Sequence, residues 1–599
     1  HPDDERYKPL FGSEATTPLF GVRVPVVAHP LAEPDKGTGV AMICTFGDVT
    51  DVTWWRELKL HVRTIVGRDG RVQADPPPGL PDSPAWRELT GKKMEPARAR
   101  IVELLRKSGD LLGDPRPVKH AVKFFEKGSK PLEILTSRQW FIRTLAHREQ
   151  LLERGRELRW HPPYMRARYE SWVTGLNSDW LISRQRFFGV PFPLWYRIGD
   201  DGSVLYGERL LPDESRLPVD PSTDVPDGFS ADQRDQPGGF TGEPDVMDTW
   251  ATSSLTPQVA GRWADDEDLF SHVFPMDLRP QAHEIIRTWL FSTVVRSHLE
   301  HRSLPWSDAA ISGWVLDPDR KKMSKSKGNV VTPIGLLEQH GSDAVRYWAA
   351  SGRPGVDTAF DEGQMKVGRR LAIKILNASK FVLSRLGPER PSERGGGPEG
   401  EVTAALDQAM LAGLASLVDE ATAAFEGYDY ARALERTESF FWHFCDDYLE
   451  LVKGRAYGGQ GEEAAASANR ALTLALSALL RLFAPFLPFV TEEVWSWWKD
   501  GSVHRAPWPE PEELRAPAGA GADPAVLEVA SAVLGEVRKA KTVAQASMRA
   551  DVARAVVRDT PERLAALHAV IGDVRDAGRI ADLVTEEADA FSVEVELAQ

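Results

Sequence analysis

Five cations fall within positions 320–327: Arg320, Lys321, Lys322, Lys325 and Lys327. They are interleaved with Met323, Ser324 and Ser326, and Gly328 follows. Small, flexible residues let such a loop close over a polyphosphate. Lys322 and Lys325, three positions apart, can reach a pyrophosphate from one side, while hydroxyls and backbone N–H groups add donors. The chemistry this predicts is stabilisation of charge on a departing polyphosphate. The plainer alternative is an exposed basic loop, since any five-residue match carries a false-positive risk.

The flanks favour the chemical reading. An apolar, strand-like run (311–316) precedes the loop and another (330–334) follows it. Across 245–331 short apolar runs alternate with helical ones, which predicts part of a parallel α/β sheet. Upstream, 22–27 and 40–45 read as strands separated by a turn former at 34–37, so the first 70 residues are expected to be β-rich. Apolar spacing predicts a helix over 96–112, and 131–136 and 180–182 look strand-like. A Pro/Asp/Gly-rich stretch, 200–242, reads as an insertion. After Pro333 the pattern is helical, with amphipathic stretches over 364–386, 402–453 and 467–483. Linkers are expected at 387–400 and 457–466, and a hinge at 516–523 before a small α+β tail.

With 599 residues the chain has room for three or more domains. Its net charge of −15 argues against a generic polyanion binder, so a nucleic-acid partner must be met by local patches. Two cysteines, Cys44 and Cys445, form no C-x-x-C pair, which argues against structural zinc and fits a reducing cytoplasm. The most apolar C-terminal run, 477–490, is interrupted by Arg481, Pro485 and Pro488, and no membrane span is expected. Nineteen tryptophans predict large aromatic cores.

The pentapeptide KMSKS at 322–326 resembles the second signature of class I aminoacyl-tRNA synthetases. Further segments resemble the valyl-tRNA synthetase family and cover nearly the whole chain. NSDWLISRQRFFG at 177–189 is similar to the family's re-entry into its catalytic domain, and DVMDTW at 245–250 to its DVLDTW. NASKF at 377–381 and PFLPFVTEEVW at 485–495 look like its anticodon-binding domain. HPDDERY at 1–7 and GTG at 37–39 resemble its proofreading insertion.

The resemblance implies roles for individual residues. Lys322 and Lys325 act in catalysis, and Lys322, Met323, Ser324, Lys325, Ser326 and Gly313 contact ATP. Trp250, Ile285 and Trp289 wall the valine side chain, with Glu284 near its amino group. In the editing site Asp51 holds the amino group of the misacylated residue, with Asp48 and Thr38 beside it; an ammonium stripped of water needs a charged partner. Read without the resemblance, Asp51 is a turn aspartate capping a helix that begins near Trp54, and both tryptophans are core. Where the family has Gly-x-Asp-Ile, this chain has Ala282 and Glu284 before Ile285. No His-x-Gly-His element occurs, and the expectation is a sequence that begins inside the insertion, after the first catalytic half.

The fold class expected is multidomain α/β. It comprises a partial, β-rich editing domain (1–160), the second half of a Rossmann-type catalytic domain (161–334), an all-α anticodon-binding bundle (335–515) and a small α+β domain (516–599). The implied activity is ATP-dependent activation of valine, its attachment to tRNA(Val), and hydrolysis of threonyl-tRNA. ATP with Mg2+ is implied as cosubstrate, with no zinc, no membrane, a monomer and a cytoplasmic location. Two alternatives remain at this stage: the isoleucine enzyme, and a non-catalytic tRNA-binding protein. Basic groups at Lys366, Arg369, Arg370 and Lys374, and at Arg538, Lys539, Lys541 and Arg549, could track tRNA phosphates or be ordinary surface charge.

Overall fold

The parallel sheet predicted over 245–331 is present. In the computed structural model, β1 (Arg159–His161), β2 (Met276–Ala282) and β3 (Trp306–Ser312) lie side by side in the order β2-β3-β1, all parallel. The structure describes residues 1–44, 49–117, 122, 124, 132–324, 328–385 and 400–598. By contacts the chain divides into two units, His1–Trp140 and Phe141–Gln599. The first therefore ends at Trp140 rather than at 160, because β1 belongs to the parallel sheet and Leu151 and Leu158 to the core beneath it.

The first unit departs from the β-rich expectation. Its strands, Glu14–Thr16 and Arg23–Pro25, form a short antiparallel pair that takes up part of 22–27. Residues 40–44 lie outside any strand, as do 132–136. An apolar run alone does not make a strand; a ladder partner must satisfy its backbone. Helices dominate instead: α1 (Val49–Leu58), Pro84–Leu89 and Met94–Ser108, the last ending at left-handed Gly109 rather than at 112. Val72, Trp86, Leu89 and Ala97 form its small core.

In the second unit, β2 connects to β3 through α2 (Phe291–His301). Phe291, Val294, Val295 and His298 are buried at the i, i+3, i+4, i+7 spacing of one helix face. Fully burying a valine or phenylalanine side chain contributes about 1.5–3 kcal/mol, so this stripe fixes α2 against the sheet. The 200–242 insertion is ordered: Trp195–Ile198 pairs with Val204–Leu210 and Phe240–Gly242 around buried Trp195, Val219 and Phe240.

The helical region follows, with α3 (Ala405–Glu426), α4 (Tyr430–His443), α5 (Leu449–Ala456) and α6 (Glu462–Phe483). The expected linker 457–466 is shorter, since α6 begins at Glu462. The 387–399 stretch lies outside the described residues. The expected hinge at 516–523 is half helix, because Glu512–Ala518 folds and Ala518 is buried. Beyond it come α7 (Ala525–Val543), β4 (Val552–Asp559), α8 (Ile571–Gly578), β5 (Ile580–Glu587) and β6 (Ser592–Leu597). This tail is not a separate body: one apolar cluster runs from Tyr347 through Leu414 and Leu479 to Val533, Val557 and Ile580.

Candidate active site and loop

The described part of the lysine-rich loop stands beyond the C-terminal end of β3. Gly313 follows the strand, and a Cβ there would lie 2.2 Å from the Val356 carbonyl oxygen. Only glycine allows that approach. It brings Asp357 within reach, so that the Trp314 backbone N–H donates to Asp357 Oδ1 at 2.8 Å. His283 Nε2 lies 3.3 Å from the same oxygen, and its ring packs on Trp314 at 4.8 Å between centroids. The Trp314 N–H, with His283, holds the Asp357 carboxyl below its usual range.

Lys322 reaches across this frame. Its Nζ lies 2.5 Å from Glu284 Oε2 and 4.3 Å from the centroid of the Trp314 ring. The Lys322 ammonium in turn keeps Glu284 below the ordinary glutamate range. The fold thus brings together Gly313, Glu284 and Lys322. Met323 and Ser324 are half-buried beside them, whereas Lys325 and Ser326 lie outside the described residues.

The loop's base is held by two residues to which the sequence reading gave no role. Asn329 Nδ2 donates to Asp317 Oδ2 at 2.7 Å and to the Lys322 carbonyl at 3.2 Å, while its Oδ1 accepts from the Ser324 N–H at 2.9 Å. Asp317 Oδ1 accepts the Lys321 N–H at 2.7 Å. Asp317 is buried, and the Asn329 amide, foremost, keeps its carboxyl below the usual range. The signal that could have found the pair is an asparagine directly after a glycine, a common turn-stabilising combination.

The residues expected to wall a valine side chain stand partly together. Asp248 caps the short helix Thr249–Ser253 through the Trp250 N–H at 2.9 Å and pairs with Arg184 at 2.6 Å. Trp289 sits in a widened turn, Ile286–Leu290, and donates its Nε1 to the Ser253 carbonyl at 3.1 Å. Trp289 therefore meets the helix carrying Trp250. Ile285 precedes that turn and is half-buried. The unexpected member is Arg279, buried with its guanidinium 3.3 Å from the Trp289 ring centroid and 5.4 Å from that of Trp306. Burial lowers this guanidinium to about 10.

In the first unit, Asp51 lies inside the first turn of α1 and is buried. The helix begins at Val49, not near Trp54, so Asp51 is not its cap; Asp48, which precedes it, lies outside the described residues. Thr38 belongs to a segment tied to the N-terminus: Tyr7 donates its hydroxyl to the Thr38 carbonyl at 2.7 Å, and Arg6 bonds both Asp4 and the Pro34 carbonyl. Gly39 runs so close to Arg6 that a Cβ would stand 2.6 Å from its Nη2. The segments 1–7 and 37–39 thus meet.

Several cations considered for nucleic-acid contact are used internally. Lys541 is buried and donates to the Gly578 carbonyl at 2.9 Å. Lys374 pairs with Asp446 at 2.8 Å and Arg538 with Asp447 at 3.2 Å. Lys366 and Arg370 are exposed. Trp495 and Trp498 are core.

A parallel βαβ sheet with the signature loop at its C-terminal end, joined to a helical bundle, defines the catalytic and anticodon-binding parts of a class I tRNA synthetase. The family described as tRNA synthetases class I (I, L, M and V) matches residues 47–361, and the anticodon-binding domain of tRNA ligase matches 407–557. The valine--tRNA ligase of Thermobifida fusca is 64% identical over 607 residues, covering 100% of this chain and 68% of its own length. That of Salinispora arenicola is 60% identical over 98% of this chain and 70% of its own, and that of Leifsonia xyli 56% over 100% and 70%. The chain belongs to the valine--tRNA ligase family. Among the described residues no helix is long and apolar enough to cross a membrane, and no group of three or more metal-ligating side chains occurs.

Proposed function

We propose that the chain acts in the ATP-dependent attachment of valine to tRNA(Val) and in hydrolysis of threonyl-tRNA. The observation that carries this reading is the 64% identity with a valine--tRNA ligase across the full length of the chain. In the first step a valine carboxylate oxygen attacks the α-phosphorus of ATP, the bond to the β-phosphate breaks, and pyrophosphate leaves. Mg2+ arrives with ATP as part of the substrate. Lys322 and Lys325 stabilise charge on the leaving pyrophosphate. Trp250, Ile285 and Trp289 enclose the valine methyls, Glu284 attracts its ammonium, and Gly313 with 322–326 borders ATP. A tRNA ribose hydroxyl then attacks the valyl carbonyl and AMP departs.

Proofreading follows from the chemistry of the substrate. An apolar pocket rejects an isostere bearing one added hydroxyl by only about a hundredfold, the figure familiar from valine-specific synthetases themselves. Asp51, with Thr38 and Asp48, is assigned to the hydrolytic site, where its carboxylate holds the threonyl ammonium.

The test is amino-acid-dependent exchange of pyrophosphate into ATP. The 599-residue chain alone is expected to give none above background, because no His-x-Gly-His element occurs in it. Joined to the first catalytic half of a relative, it should exchange with valine, and Lys325→Ala should lower that rate about a hundred- to a thousandfold. Exchange driven by isoleucine overturns the assignment; robust valine-dependent exchange by the chain alone overturns the expectation that it is inactive by itself. In the same completed enzyme Asp51→Ala should accumulate threonyl-tRNA with valylation intact; unchanged clearance removes Asp51 from the editing site.

A further inference from the structure

Lys322 can meet a polyphosphate only if the chain carrying it is held still, and two side chains brace that chain. The Asn329 carboxamide uses both of its functions at once. Its N–H groups tie the Lys322 carbonyl to the Asp317 carboxylate, and its oxygen takes the Ser324 N–H. The second oxygen of Asp317 takes the Lys321 N–H. Backbone bonds complete the turn: Asp317 N–H to the Lys321 carbonyl at 2.9 Å, Arg320 N–H to the Asp317 carbonyl at 2.9 Å, and a bridge from Leu316 to Lys322. Residues 321, 322 and 324 are therefore bonded on the loop's inner side, and the Lys322 side chain leaves this brace toward Glu284.

We propose that Asp317 and Asn329 are positioning residues that fix the Lys322 ammonium at the mouth of the site. The proposal rests on the polyphosphate reading of Lys322 above for its catalytic meaning. The chemistry is selective. Alanine at 329 removes three hydrogen bonds, and aspartate there sets two carboxylates against each other. Exchanging the pair, Asp317→Asn with Asn329→Asp, restores one amide-to-carboxylate bond between them.

The test labels the 599-residue chain with an amine-acylating reagent and reads each lysine by mass spectrometry. In the wild type Lys322, braced and paired, should react more slowly than its neighbour Lys321. Asn329→Ala should raise Lys322 reactivity about tenfold, the size of one lost charge-assisted hydrogen bond, and Asn329→Asp at least as much. Buried Lys541 should keep its reactivity in every variant, which separates loop release from unfolding. The exchanged pair should recover part of the wild-type protection. Equal Lys322 reactivity in wild type and both Asn329 variants overturns the proposal, as does an exchanged pair no better protected than Asn329→Asp. Inorganic pyrophosphate should further slow Lys322 in the wild type. If it does not, while Asn329→Ala still frees Lys322, the brace stands and the polyphosphate reading falls.

Discussion

Two cation–carboxylate groupings in this chain have opposite settings. In the helical region Arg455 of α5 bonds both oxygens of Asp407 in α3 at 2.7 Å and reaches Asp573 of α8 at 2.7 Å. Tyr448 and Ser467 fill the remaining acceptor positions of Asp407 at 2.8 and 2.7 Å. In the signature loop Lys322 meets Glu284 at 2.5 Å. The side chains of Arg455 and Asp407 are 3% and 0% exposed, those of Lys322 and Glu284 47% and 39%. Burial decides what each pair can do. A dry, fully bonded cluster cannot lose one member without stranding the others. A half-exposed pair can exchange its partner for water or a substrate at little cost. The first staples the tail to the bundle; the second leaves its lysine free to change partners.

Breaking the buried cluster should therefore produce the largest loss. Arg455→Ala leaves Asp407 and Asp573 buried without their cation and should cost about 3–5 kcal/mol. Urea unfolding would measure it, with hydrogen exchange over α8 and β4–β6 showing that the tail opens first. Loss confined to the exposed surface, or under about 1 kcal/mol, would mean the cluster is wetter than its geometry.

An intermediate case sharpens the contrast. Asp308 of β3 is buried, ion-paired with exposed Arg159, and bonded to His161 at 2.9 Å, whose ring packs at a tilt against Tyr428 between α3 and α4. Burial alone would raise its carboxyl, but bonds from Arg159, His161 and Ser307 outweigh it and set the value at about 2. A depressed carboxyl contributes stability that is present above the ordinary value of about 3.9 and is lost as pH falls through the folded value. Wild-type protein should thus lose stability between about pH 4 and 2 at this site, and Asp308→Asn should flatten that decline. At neutral pH the substitution should cost about 1.5–3 kcal/mol, the range for hydrogen bonds to charged groups. Acid titrations of both proteins, followed by circular dichroism, would show it; superimposable curves would contradict it.

Breaking the exposed pair should hardly register in stability. Glu284→Gln should change unfolding free energy by less than about 1 kcal/mol while raising Lys322 acylation. A stability loss as large as that of Arg455→Ala would erase the distinction between the clusters. Smallest of all, Glu536→Gln removes a surface partner of Lys539 at 3.0 Å and should stay within about 0.5 kcal/mol.

Much of this was legible in the residues. The parallel βαβ segment followed from apolar runs of the right lengths, because burial on both faces writes a pattern that local sequence cannot hide. The long helices α3 and α6 followed from their spacing for the same reason. The basic loop was legible as a motif, and the family it pointed to is the one the relatives show. What the sequence misread was whatever needs a partner distant in the chain. Residues 40–44 form an apolar, strand-like run but lie outside any strand.

Hinge-like composition at 516–523 hid a core shared across it, since Ala518 and Val533 join the cluster built on α3 and α6. Lys541 read as a candidate phosphate contact and is instead buried on the Gly578 carbonyl. The sequence by itself determined which residues carry charge, which faces are apolar and where the loop lies. Only the tertiary structure decided which charges are wet and which dry, and that Asn329, Asp317 and Glu284 converge on Lys322. Charge is a property of a residue, but its partner and its exposure to solvent are set by chain segments that meet only in the fold.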